Sequence, residues 1–328
     1  MTPVPPTHDG QPPLADPTTS PEAVFAALEL ALRRRLPGRL HGEHRGLGLG
    51  AGSDPEEIVR YRPGEDDVRR IDWNATSRAA GEPHVWRTQA QHELESWVLV
   101  DRSPSMAFGT VNLPKNRLAD GVVGAVALLT QGPGNRVGTL EVTATGLRWA
   151  APVPARAAAH RALRQHHHSP DDGVAPPLAD ALVALARRYP RPGLRVVVSD
   201  LLDADGGTAR PFAWERPLRR LAAVHDVLVV EVLDPRELAL PDVGVVTLLD
   251  PESGRTVEVD TRDRRLRETY AATAAAHRDA TRAAVRGARA EHVVLRTDRD
   301  WVRDLARALG SGPRRRTPAA AGTAGVGA

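Results

Sequence analysis

Short unbroken apolar runs alternate with longer stretches of helical periodicity along most of this chain. Trp97-Val98-Leu99-Val100 is the first of the runs, and two of its residues are β-branched. A run of that length and type predicts a strand buried on both faces. Residues 194–199 and 227–232 repeat the pattern, and 293–295 closes it in shorter form. Between the runs, apolar residues recur at helical spacing over 117–129 (Leu118, Val122, Val123, Val126, Leu129), 156–165, 178–189, 217–224 and 301–309. A long Arg/Ala-rich helix is expected over 262–290, a two-strand hairpin over 136–143 and 146–150, and a second, inserted hairpin over 243–249 and 256–259. Apolar strands alternating with helices predict an α/β fold, a mostly parallel sheet covered on both faces.

The N-terminal third reads differently. Residues 1–20 are rich in proline, threonine and aspartate and predict a disordered tail. Ser20 then caps a helix with Pro21 at its first position and Val24, Leu28, Leu32 and Leu36 on one face. Residues 41–52 form a glycine-rich connector whose spacing does not match Gly-x-Gly-x-x-Gly. From Ile58 to Asn74, charges of both signs crowd around Tyr61 and Trp73, with Pro63-Gly64 as a turn between extended pieces. That density fits a salt-bridged surface hairpin plugged by Trp73, or an interface hot spot built from Arg62, Arg69, Arg70, Asp72 and Trp73. The residues leave both readings open. The expected division is a tail over 1–20, a helix and small β accessory segment over 21–92, the main α/β domain over 93–310, and a second disordered tail over 311–328.

Composition narrows the function classes. At 328 residues the chain buries a sizeable core. Its net charge is +3, with basic residues that are arginine throughout except Lys115. So small an excess argues poorly for nucleic acid. The absence of cysteine excludes disulfides, thiolate metal sites and cysteine nucleophiles. No signal peptide and no run of about eighteen apolar residues is present, which predicts a cytoplasmic protein that spans no membrane. His166, His167 and His168 are expected to be a solvated helix end rather than a metal site, because three adjacent side chains cannot all face one ion.

The candidate chemistry lies where the first apolar strand ends. Asp101-x-Ser103-x-Ser105 brings one carboxylate and two hydroxyls toward a common point, at the strand end where open α/β sheets place their ligands. Oxygen ligands of this kind suit a hard cation such as Mg²⁺. A turn capping the next helix would use the same residues.

Two stretches together resemble a known family. They run from Arg60 to Trp73 and from Val100 to Met106 with Phe108-Gly109, and they are similar to the bacterial domain-of-unknown-function family 58. The resemblance continues at Asp234-Pro235-Arg236-Glu237, at Leu240 to Gly244 and at Thr297 to Asp300. It implies a von Willebrand A-like, Rossmann-type fold, with one antiparallel edge strand and a metal-ion-dependent adhesion site. By resemblance Asp101, Ser103, Ser105 and Asp200 are the metal residues, with Mg²⁺ (or Mn²⁺) as the ion. The family's site also draws on a threonine, and here the matching position is Pro176, which has no hydroxyl.

The resemblance further implies a non-enzymatic adaptor working with a MoxR-type AAA+ ATPase and a protein client, through a degenerate adhesion site. Two other classes use the same residues. A phosphoryl-transfer hydrolase with Asp101 as nucleophile lacks the usual second aspartate, since Ser103 stands there, and Lys115 follows too closely to be its phosphate-holding lysine. Nucleic-acid binding by arginines of the long helix is countered by Asp263, Glu268, Asp279 and Glu291 among them.

Overall fold

The computed structural model describes residues 21–35 and 55–311, apart from 64–65, 80, 89–94, 111–112, 133, 165–174, 203–206 and 250–253. The N-terminal tail, the glycine-rich connector, the three histidines and the tail beyond 311 lie outside the described residues. In chain order the elements are α1 (Pro21–Arg35), β1 (Pro55–Arg60), α2 (Trp73–Arg78), β2 (His84–Thr88), β3 (Glu95–Asp101), α3 (Lys115–Leu129), β4 (Arg136–Thr143), β5 (Gly146–Pro154), α4 (Ala155–Arg164) and α5 (Leu178–Arg188). They continue with β6 (Leu194–Ser199), α6 (Glu215–Ala222), β7 (Asp226–Leu233), α7 (Pro235–Leu238), β8 (Val245–Leu249), β9 (Thr256–Asp260), α8 (Arg264–Gly287), β10 (Glu291–Arg296) and α9 (Trp301–Ser311).

Six strands form one sheet in the order β10-β7-β6-β3-β4-β5. All neighbours run parallel except the hairpin β4–β5 at the edge. This is the mostly parallel sheet, with one antiparallel edge strand, that the apolar runs and the resemblance anticipate. Alternation along each strand sorts the side chains. Val98 and Val100 join α1, α3, α4 and α9 in one core layer, while Trp97 and Leu99 join α5, α6 and α8 in the other. β3, buried throughout after Glu95, is the spine of both layers.

The segment 58–74 does not form the expected hairpin. β1 pairs antiparallel with β2, so the strand partner lies beyond α2 rather than just past Pro63. Two aspartates turn the intervening chain helical: Asp67 accepts from Arg69 N at 3.0 Å, and Asp72 accepts from Asn74 N at 2.8 Å and Ala75 N at 3.1 Å. Side-chain oxygens that satisfy the first free N–H groups of a helix favour helix over strand. Trp73 is consequently no plug. It is 72% exposed, and among the described residues of the segment Thr76 and Val85 are buried.

Candidate functional site

The strand order sets the site. From β3 the chain builds outward to β4 and β5 on one side; β6, β7 and β10 then build outward on the other. The carboxyl ends of β3 and β6 flank the point where that order reverses, which is where open sheets part their loops and leave a crevice. Asp101 ends β3, and Ser199 and Asp200 end β6. The structure thus brings the expected Asp101, Ser103, Ser105 and Asp200 to one apex.

Asp101 is buried and accepts two hydrogen bonds, from Ser103 N at 2.9 Å and from Ser199 Oγ at 2.6 Å. Ser199 Oγ in turn accepts from Leu201 N at 2.9 Å, which locks the β6 loop onto β3. Ser103 Oγ and Ser105 Oγ lie 3.0 Å apart. Burial, and after it the nearby charge of Asp200, raise the Asp101 carboxyl above the ordinary aspartate range, against the opposing hydrogen bonds.

Three further residues complete the apex, and sequence reasoning did not place them there. Lys115, the first residue of α3, has no exposed surface, and its Nζ lies 2.8 Å from Asp200 Oδ2 while also bonding Glu237 Oε1. Burial alone would depress the lysine; the charges of Asp200 and Glu237 outweigh it and hold the proton on more tightly than usual. Glu237 is the third helical residue of α7, and its other oxygen accepts from Asp234 N at 2.9 Å in a capping box. Asp234, buried at the end of β7, accepts from Thr110 N, Thr110 Oγ1 and Thr297 Oγ1 at 2.6–2.9 Å. Loops after β3, β7 and β10 are thereby tied together. The available signal was composition: a single lysine in a chain that otherwise uses only arginine is an unusual choice, because arginine's planar fork and lysine's compact charge serve different sites.

The residues fit a divalent ion poorly as they stand. Asp200, whose carboxylate would face the ion, is engaged by the Lys115 ammonium, and position 176 is a half-buried proline with no oxygen to offer from its side chain. Among the described residues no group of three His, Cys, Asp or Glu side chains is placed to hold a metal.

The second set of expected residues lies on the β1–β2 segment. Trp73 and Arg69 are exposed, as is Arg62, whose backbone N donates to Asp66 Oδ2 at 2.9 Å. Asp72 is turned to capping α2. Arg70 is the last residue of the 3₁₀ turn Val68–Arg70.

No helix among the described residues is long and apolar enough to cross a membrane. The family model for DUF58, a protein family of unknown function, matches residues 57–280. The chain is similar to an uncharacterized protein of Mycobacterium tuberculosis, 43% identical over 299 residues, covering 88% of this chain and 89% of that one. Among solved structures it is similar to the conserved hypothetical protein BatB of Bacteroides thetaiotaomicron, with 13% identity and a TM-score of 0.39 over 66% of this chain and 97% of that one. The SpRpn10 VWA domain overlaps 68% of this chain and 96% of its own, with 10% identity and a TM-score of 0.34. With its family model matched over residues 57–280 and a relative aligned over 88% of its length, the chain belongs to the DUF58 family.

Proposed function

We propose that this chain is a non-catalytic, cytoplasmic protein-binding adaptor that works with a MoxR-type AAA+ ATPase on a protein client. The observation that carries the reading is Trp73: an indole 72% exposed, on the first turn of a helix capped by Asp72. An exposed tryptophan on a capped helical turn, close in sequence to Arg69 and Arg70, has the composition of an interface anchor, since it offers a large contact area. The apex supports binding over phosphoryl transfer. Both oxygens of Asp101 accept hydrogen bonds, and the ammonium that a phosphate would need is held by Asp200 and Glu237. Nucleic-acid binding by α8 is countered by pairing of four of its six arginines, Arg264, Arg267, Arg278 and Arg282, with Glu268, Asp242, Glu231 and Asp279.

The test is co-purification with the MoxR-type ATPase from the same organism, comparing the wild type with Trp73→Ala. A surface substitution of this kind changes stability by about 0.5 kcal/mol or less, so the variant should melt like the wild type while retention of the ATPase falls at least about tenfold. Equal retention by both proteins would exclude Trp73 as the anchor. Loss of cooperative unfolding in the variant would assign the tryptophan to packing.

A further inference from the structure

Most buried charge in this molecule resolves into structural pairs. Arg102 bonds Asp120 at 2.6 Å and Glu141 at 3.1 Å beside β4, and Glu231 on β7 receives Arg278 and His292. Lys115 is different. It is the chain's single lysine, it is wholly buried, and its ammonium sits at the point of strand reversal between Asp200, just after β6, and Glu237 of α7.

We propose that Lys115 is the resident cation of the apical site: its ammonium engages Asp200, the carboxylate that a divalent ion would have to share with Asp101, Ser103 and Ser105. The inference stands apart from the adaptor reading, because it concerns what holds the apex together whichever partner binds.

The construction around the lysine carries it. Lys115 N donates to Phe108 O at 2.9 Å, closing the loop that follows the serines. At Gly109 that loop passes so close to the start of α3 that a Cβ would meet the Leu113 carbonyl oxygen at 2.8 Å and collide with Pro114. Pro114 then precedes Lys115 directly, so the lysine enters the site from a fixed backbone rather than from a free stem. Its acceptors are fixed as well. Asp200 Oδ1 accepts from Leu202 N at 3.2 Å, and Glu237 is clamped by the capping box whose aspartate Thr110 and Thr297 hold.

Ammonium chemistry suits this place, since it supplies three N–H donors and one positive charge without a coordination shell. A metal bound to Asp200 would have to share that carboxylate with the ammonium, and the two cations would repel each other at close range. With Pro176 in the threonine position, a divalent ion would gain one oxygen fewer while displacing a cation already tethered. Partner binding at this apex should accordingly survive chelators.

The single lysine makes the test direct. Full-length protein carrying carbon-13 at lysine Cε gives one side-chain signal, and a Mn²⁺ ion bound at the apex would broaden it through paramagnetic relaxation. The expected result is a Lys115 signal that persists at millimolar Mn²⁺ with no more loss than remote methyl signals show. Saturable loss that disappears in Asp101→Ala would overturn the proposal. Calorimetry with Mn²⁺ on Lys115→Met supplies the converse: removing the ammonium should create binding at least about tenfold tighter than in the wild type, since it removes a competing unit charge. A folded Lys115→Met that binds no better than the wild type would also overturn it. If that variant does not fold, the wild-type spectrum alone decides. None of these outcomes depends on the ATPase, so failure here and failure of the adaptor reading are separable.

Discussion

At Lys115 the balance between burial and charge decides the behaviour of one side chain. A lone ammonium stripped of water would release its proton easily; Asp200 and Glu237 reverse that tendency and raise the lysine above its ordinary value of 10.5. The sign of the linkage follows. A raised folded-state value for a base means that its contribution is complete below pH 10.5 and fades as pH climbs through the folded value. Removing the ammonium leaves the buried Asp200 and the half-buried Glu237 uncompensated, so Lys115→Met should cost about 3–5 kcal/mol near neutrality. The gap from the wild type should shrink above pH 10.5, with tyrosine titration cancelling in the comparison. Urea denaturation of both proteins in mild and strong alkali measures it, and a gap independent of pH would show that the charged form is not the stabilising species. The residue also illustrates what spacing cannot reveal. The partners of Lys115, Asp200 and Glu237, lie 85 and 122 residues further along the chain, beyond the reach of any local window.

Strands and helices were more legible. The apolar runs became β3, β6 and β7 because β-branched side chains buried on both faces leave little alternative to a central parallel strand. The match of β3 to β4 rests on one complementary pair: Trp97 faces Gly138 across the parallel register, and a Cβ at Gly138 would lie 2.8 Å from the indole ring. The ring has nowhere to move, as it stacks against Tyr189 with centroids 4.0 Å apart and its Nε1 donates to Glu95 at 2.8 Å. Gly138→Ala should therefore cost about 1–3 kcal/mol, read as a lower melting temperature, and Trp97→Phe in the same chain should recover part of it. Additive losses in the double variant would mean that the clash is relieved elsewhere. The accessory segment was the less legible element. Its polar, mixed-charge residues carry no periodicity, so the capping by Asp67 and Asp72 that sends the chain into helix, and leaves Trp73 exposed, competed unseen with the turn signal of Pro63-Gly64.

Across the whole molecule, the sheet separates two chemically distinct ends. The carboxyl ends of the strands carry the Lys115 apex, while the opposite end holds His225 in a cleft with Arg219, Asp226 and Arg289. His225 is buried, and burial, followed by the charge of Arg195, lowers it to about 4. A base with a depressed folded value is stabilising above its unfolded value of 6.5 and loses that contribution as pH falls toward 4. The wild type should lose about 3 kcal/mol across that window, and His225→Leu should flatten the loss in a thermal-denaturation series. Parallel curves for the two proteins would remove His225 as the cause.

The order of strands and helices, the α/β class and the Asp101-x-Ser103-x-Ser105 turn followed from local pattern, because burial on two faces and periodicity on one are written residue by residue. The cation at the apex did not. Lys115, Asp200 and Glu237 come from α3, the end of β6 and α7, and their meeting depends on the reversal of strand order between β3 and β6. A local window records which side chains point inward, whereas the partners of a buried charge are chosen by which strand ends become neighbours, and only the assembled sheet decides that.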